Sequence, residues 1–380
     1  MAQQSRFVLK NNEFAFKLFN EIYQRAPKQN FVFSPHSIYS SYAALSLSAD
    51  EKTEAAILKA LGVSDLENPK DKQRPEFFGG LKNAASAAGV SSSDFKIFWL
   101  NRDAKFSPNI REKLKLNFDI TSAQTDFGNP RQAATSMNAA VEKASWNAIK
   151  NSVAPSHIDN DSMLVVQCAN SFGGKLELGF GVSNTSKGDF TGADGKKIAV
   201  DMMHSESVEF NFIIAEGFKA FKLPYAGEKM SLIIIYPDAG KTPLSALSRM
   251  NARHFGQMLD HLKAPTCMST GFDIPRFAVN TPPLKMNAFL EKVGLGAPFA
   301  ADADWTKLSP DLKGKPLNAL LSKSAFSLKE NAKVVDEVKS RSGLFGIPLR
   351  NHKIENPFAF LVVDNSTNAI YLMGYVANPQ

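Results

Sequence analysis

Asn30-Phe31-Val32-Phe33-Ser34-Pro35-His36-Ser37-Ile38 contains the pair on which the reading of this chain turns, Ser34-Pro35. A serine hydroxyl accepts a hydrogen bond from an orphan N–H of a helical first turn, and proline suits that turn because it has no N–H to leave unpaired. The pair therefore opens a helix. Ser37, Ile38, Ser41, Ala44 and Leu45 along it are small or apolar, which predicts a helix lying deep under a sheet. Working outward, residues 11–25 set Phe14, Phe16, Leu18, Phe19 and Ile22 at helical spacing. Residues 51–61 predict an amphipathic helix ended by Gly62. Residues 130–149 predict an Ala-rich helix capped by Asn129 and carrying Met137, Val141 and Trp146.

Beyond residue 160 the pattern changes from helices to strands. Residues 163–172, 208–223, 231–236, 358–363 and 370–376 are β-rich runs. Tyr225-Ala226-Gly227-Glu228 and Asp364-Asn365-Ser366-Thr367-Asn368 are turns between paired strands, and residues 281–293 predict a late helix closed by Gly294. With no repeat and no linker, residues 1–380 read as one α+β domain, helices first and large antiparallel sheets after.

Hydrophobic residues at 44% and charged residues at 21% match a folded globular chain, and the longest apolar runs are strand-sized, far short of a membrane span. The net charge of +7 is dispersed, as in Arg111-Glu112-Lys113-Leu114-Lys115, and no aromatic ladder flanks a basic stripe, so nucleic acid is not an expected partner. Cys168 and Cys267 are too few for a disulfide scaffold and read as buried free thiols. The first residues lack an apolar signal core, yet sequons at Asn160, Asn184 and Asn365 fit a secreted chain. The expectation is an extracellular monomer whose signal has been removed, with a cytoplasmic setting as the alternative.

Catalytic signatures are missing. The chain has no G-x-S-x-G elbow, Walker loop, H-E-x-x-H or paired C-x-x-C, and its six histidines show no metal-ligand spacing. Gly179-Phe180-Gly181 lacks the third glycine of a dinucleotide fingerprint. An apolar strand setting for Cys168 opposes the lowered pKa that a nucleophile needs. Neither enzymatic activity nor a metal or cofactor is expected. The long stretch 332–353, between strong strand segments, carries Leu344, Phe345 and Ile347; loops of such length are functional or disordered, and these side chains would fit a partner's pocket.

Several segments, in order along nearly the whole chain, resemble the serpins, a family of protease inhibitors. They are residues 30–38, residues 118–127, Phe190-Thr191-Gly192 and Met202-Met203. Leu223-Pro224-Tyr225-Ala226-Gly227, Ile274-Pro275-Arg276-Phe277, Ala303-Asp304, Asn356-Pro357-Phe358 and Gly374-Tyr375-Val376 follow. The resemblance implies a fold of helices and three β-sheets, with residues 332–353 as an exposed reactive-centre loop. In the family's inhibitors a protease attacks this loop, which then inserts as a new strand of the main sheet and drags the acyl-enzyme along.

Insertion calls for a hinge of small residues. This chain instead has Ala332-Lys333-Val334-Val335-Asp336-Glu337-Val338. If even positions face inward, Asp336 is the one buried charge; if odd positions do, Lys333, Glu337, Lys339 and Arg341 are buried. Unpaired buried charges cost several kcal/mol, and β-branched valines stiffen the hinge. The family's gate beneath the main sheet maps to Ser34, Ser37, Cys168 in place of an asparagine, and Lys323 near an expected histidine; Leu176 replaces a tryptophan. Counting back from Pro357 by family spacing puts the attacked bond at Gly346–Ile347, with Phe345 second before the break and Leu344 behind it.

An apolar residue at that second position is what papain- or cathepsin L-like cysteine proteases read. A shift of one residue gives Phe345–Gly346, which suits a chymotrypsin-like serine protease. The expectation is a protease inhibitor, either tight and reversible or an inefficient trap. The alternative is a non-inhibitory carrier, storage protein or chaperone of the same fold.

Overall fold

The computed structural model describes residues 5–67, 89–206, 209–263, 267–268, 271–331 and 351–380. Helix α1 (Arg6–Arg25) begins earlier than its spacing predicts, because Ser5 Oγ accepts from Val8 N at 3.4 Å and caps it. In α2 (Pro35–Ser48), Ser34 Oγ accepts from Ser37 N at 3.1 Å, as the Ser34-Pro35 pair requires. This helix is buried nearly all round, and its serines tolerate burial by donating to carbonyls one turn back. Ser40 Oγ bonds Ser37 O at 3.1 Å, Ser46 Oγ bonds Ala43 O at 2.6 Å, and Ser48 Oγ bonds Ala44 O at 3.3 Å. The remaining described helices are α3 (Glu51–Ala60), α4 (Pro108–Phe118), α5 (Pro130–Ala144), α6 (Pro243–Leu247), α7 (Ala252–His261) and α8 (Asn287–Lys292).

Three sheets organise the strands. The first runs β1 (Phe31–Phe33), β17 (Ile370–Val376), β16 (Phe358–Asp364), β9 (Met230–Pro237), β8 (Phe218–Pro224), β7 (Glu209–Ala215), β10 (Cys267–Met268). A four-stranded sheet runs β15 (Asn351–Lys353), β11 (Gly271–Pro275), β6 (Lys197–Glu206), β5 (Thr185–Thr191). The main sheet runs β12 (Phe277–Asn280), β14 (Ala319–Leu328), β4 (Leu164–Gly174), β2 (Val90–Asn101), β3 (Ile120–Thr125), with β13 (Leu284–Lys285) also on β14.

The structure corrects four expectations. The first 150 residues, though mostly helical, also hold β1, β2 and β3, and β2 is an inner strand of the main sheet. Residues 208–223 hold two strands, β7 and β8, separated by Gly217 at φ +88°, a conformation that favours glycine. The late helix shrinks to α8 because Pro282-Pro283 supply no N–H, and Leu284–Lys285 pairs with β14 instead. Trp146 leaves the helical stripe: α5 ends at Ala144, and Trp146 at φ 52° is 92% exposed.

Apolar packing ties these layers together. One cluster joins α1, α2 and α3 to one face of the seven-stranded sheet, a second fills its other face, and a third seats Met137 and Val141 of α5 on the main sheet. Each fully buried Phe, Leu or Val contributes about 1.5–3 kcal/mol. These clusters therefore carry the fold and offset the buried polar groups that line one seam of the main sheet.

Candidate functional site

The seam is the parallel ladder between β4 and β14, in which Ala319 to Ser327 face Val165 to Gly173 residue for residue. Just past β14 the chain reaches Glu330 and Asn331, and it is next described at Asn351 on β15, in a different sheet. The hinge residues Ala332, Lys333, Val334, Val335, Asp336, Glu337 and Val338 lie outside the described residues. So do Leu344, Phe345, Gly346 and Ile347. What the structure shows is the seam and the two anchors of this segment.

Register partners share a face of a sheet, so Asp94, Lys96, Cys168, Asn170, Ser322 and Ser324 all look toward α2. Asn170 Nδ2 donates to Asp94 Oδ1 at 2.5 Å, and Ser324 Oγ donates to Asn170 Oδ1 at 3.4 Å. Lys96 Nζ lies 3.3 Å from Asp94 Oδ2, and His36 Nδ1 approaches the same oxygen at 3.9 Å. Cys168 Sγ sits 3.4 Å from Ser41 Oγ and 3.8 Å from Ser37 O. Ser34 Oγ donates to Tyr371 O at 2.9 Å. The buried Ser37 and Tyr371 hydroxyls make no hydrogen bond among the described residues.

Burial sets the charge states here. It pushes the Cys168 thiol up to about 11, only partly opposed by the Ser41 hydroxyl, so the sulfur stays protonated and unreactive. Burial would raise the Asp94 carboxyl, but the Lys96 ammonium, and then His36, outweigh it and leave the group below its usual range. Burial and the Lys96 charge drive His36 down to about 4 against the pull of Asp94. An unfolded chain protonates His36 near its ordinary 6.5, whereas the folded chain does not until about 4. Stability is therefore full above 6.5 and lost as pH falls through that interval, by roughly 3 kcal/mol at most. Urea midpoints followed from pH 7 to pH 4 should fall for the parent chain and fall less for His36→Asn; equal slopes would remove His36 from the account.

Of the gate residues read from the sequence, the structure brings Ser34, Ser37 and Cys168 together but not Lys323. Lys323 pairs with Ala169, so its side chain leaves the sheet on the opposite face, toward α5, and Ser322 stands opposite Cys168. It is 6% exposed with no ion pair among the described residues, and burial lowers its ammonium pKa. Asp94, Lys96 and Asn170 were missed. Their signal was the alternation Asp94, Lys96, Phe98, Leu100 against Phe95, Ile97, Trp99, which two inward charges disguised.

Asn331 is the first anchor. Its Nδ2 donates to Leu176 O at 2.5 Å and Leu178 O at 3.0 Å, and its Oδ1 accepts from Phe180 N at 2.8 Å. Beside it, Glu330 meets Arg276 at 3.2 Å, and Arg276 also bonds Asp201. The stretch read as a loop over 332–353 ends earlier, because Asn351–Lys353 form β15, the second anchor, parallel to β11, where Asn351 Nδ2 donates to Asp273 Oδ2 at 3.2 Å and Asp273 holds His204. The His352 ring lies 4.6 Å from Phe212 and 5.3 Å from Phe221. Asn331→Ala strips three hydrogen bonds from a buried site and should cost roughly 3 kcal/mol of stability in urea unfolding. A loss below about 0.5 kcal/mol would show that water replaces the amide at no cost.

The family profile described as Serpin (serine protease inhibitor) matches residues 9–379. The chain is a serpin. Its relatives include putative serpin-Z6A of rice, 28% identical over 92% of this serpin and 94% of that protein. Mouse plasminogen activator inhibitor 1 is 26% identical over 97% of this serpin and 91% of its own length. Among solved structures, native protease nexin-1 with heparin superposes with a TM-score of 0.86 at 22% identity, covering 98% of this serpin and 99% of that chain. Human thyroxine-binding globulin matches equally well, with a TM-score of 0.86 at 20% identity and 99% coverage of both chains. These likenesses establish the three-sheet serpin fold. Serpins are in general protease inhibitors.

Proposed function

We propose that this serpin inhibits a papain- or cathepsin L-like cysteine protease by presenting residues 332–350 to its active-site cleft, with chymotrypsin-like serine proteases as second targets. The observation that carries this reading is the placing of Leu344-Phe345 just before the counted bond Gly346–Ile347, in a segment held at Asn331 and Asn351. A segment tethered at both ends loses less freedom on binding than a free peptide of the same sequence. Insertion would have to part the whole β4–β14 ladder, release Asn331 from its three bonds and bury hinge charges. Reversible blocking is therefore favoured over an efficient trap, and the serpin itself carries out no chemistry.

Exposed sequons at Asn160 and Asn184 support action outside the cell; the Asn365 amide is instead engaged by Glu228 O and Ser231 Oγ. The charged hinge also favours a second reading, a non-inhibitory carrier. Titrating a cathepsin L-type enzyme with near-equimolar serpin decides between them. Lost activity establishes inhibition, and denaturing electrophoresis then separates a covalent complex from a reversible one. Full activity with the loop cut between Leu344 and Pro348 makes the serpin a substrate of that enzyme; if a chymotrypsin-like enzyme is also uninhibited, the carrier reading stands.

A further inference from the structure

At one end of the seven-stranded sheet β9 stops at Pro237, β16 starts at Phe358 and β17 stops at Val376. There a cleft of about 760 Å³ opens between the exit of α1 and the connection into α6. Tyr23, Phe221, Tyr236, His352 and Tyr375 contribute its rings, and Lys28, Lys219 and Lys241 line it as cations. Lys353, also on the wall, is matched by Glu355 at 3.1 Å. None of Lys28, Lys219 and Lys241 has an ion pair among the described residues, and Asp238 is the one other acid on the wall. The lysines come from three separate segments and ring a concavity; they do not line one element.

Lys219 and Tyr236 are direct cross-strand partners on β8 and β9, so their side chains leave the sheet side by side. The Tyr236 hydroxyl accepts from Asn356 Nδ2 at 3.0 Å and from Glu355 N at 3.4 Å. Its own proton has no acceptor among the described residues. An ammonium-bearing side chain and, directly across from it, a phenol with a proton to give are two donors for an oxyanion. Nearby aromatic walls favour a flat apolar body on the same ligand.

We propose that this cleft binds a small organic anion carrying an aromatic ring, of the aryl sulfonate or aryl carboxylate class, with its oxyanion on Lys219 and the Tyr236 hydroxyl. Its wall includes Asn351, His352 and Lys353 of the loop's second anchor, whereas Lys219 and Tyr236 stand on β8 and β9. A linear polyanion needs an open track of cations, which a ring-walled concavity does not offer.

The probe is 1-anilinonaphthalene-8-sulfonate, titrated into the full-length serpin by fluorescence. We expect saturable binding at one site, weakened about tenfold by Lys219→Glu and by several-fold in Tyr236→Phe, which keeps the ring but loses the donor. Lys241→Glu at the exposed rim should give a smaller loss and covers the case in which Lys219→Glu fails to fold. The uncharged analogue N-phenyl-1-naphthylamine should bind at least about tenfold more weakly. Equal binding of that analogue, unchanged affinity in the lysine variants or more than one equivalent site would overturn the proposal as apolar dye adsorption. Efficient displacement by a sulfated polysaccharide would overturn it in favour of a polyanion surface.

Discussion

Phe345→Asp should abolish inhibition of a cathepsin L-type enzyme, raising the inhibition constant by more than about a hundredfold. The second residue before the attacked bond fills an apolar pocket in enzymes of this class. A carboxylate placed there gains nothing from burial and must lose its hydration, a penalty of several kcal/mol. Phe345→Leu keeps an apolar side chain and should stay within about tenfold of the parent. Arg341→Ala, at a position a trypsin-like enzyme would read, should leave the constant unchanged. Urea midpoints measured beside the inhibition constants separate a loss of recognition from a loss of fold. If Phe345→Asp inhibits as well as the parent, the loop is not read at Phe345 and the assigned target class fails.

Local chemistry was legible in the sequence wherever the interacting groups are neighbours. The Ser34-Pro35 start, the Asn129 cap and the 225–228 and 364–368 turns need only a few consecutive residues, and the structure has them. Trp146 was misplaced because the stripe of α5 continues on paper past the point where Ser145 ends the helix. Register is harder. Lys323 and Ser322 differ by one position, and a period of two sends them to opposite faces, so a spacing argument accurate to one residue cannot say which meets Cys168. Asn331 gave no signal because its partners Leu176, Leu178 and Phe180 are about 150 residues away in sequence. β2 stayed hidden for a related reason: Asp94 and Lys96 are inward-facing charges that make sense only beside Asn170 and His36.

That pairing leads to the largest stability effect expected in the body of the molecule. Asp94→Ala leaves the Lys96 ammonium, 4% exposed, without its counter-charge and should cost roughly 3–5 kcal/mol. It also deprives Asn170 Nδ2 of its acceptor. Lys96→Met should cost less, because the carboxylate keeps Asn170 and can take up a proton. In the double variant Asp94→Ala/Lys96→Met no unpaired charge remains, so the combined loss should fall short of the sum of the single losses by about 2 kcal/mol or more. Strict additivity in urea unfolding would mean that the two groups do not stabilise each other. The same variants also separate the two inhibitory mechanisms. Asp94 ties β2 to β4 beside the ladder that an inserting strand must open, so loosening it changes the rate and yield of any covalent trap. A reversible block depends on Phe345 and the anchors at Asn331 and Asn351, and its inhibition constant should not move when Asp94 is removed. An Asp94→Ala protein that is less stable yet equally inhibitory would therefore place the seam in the service of the fold alone.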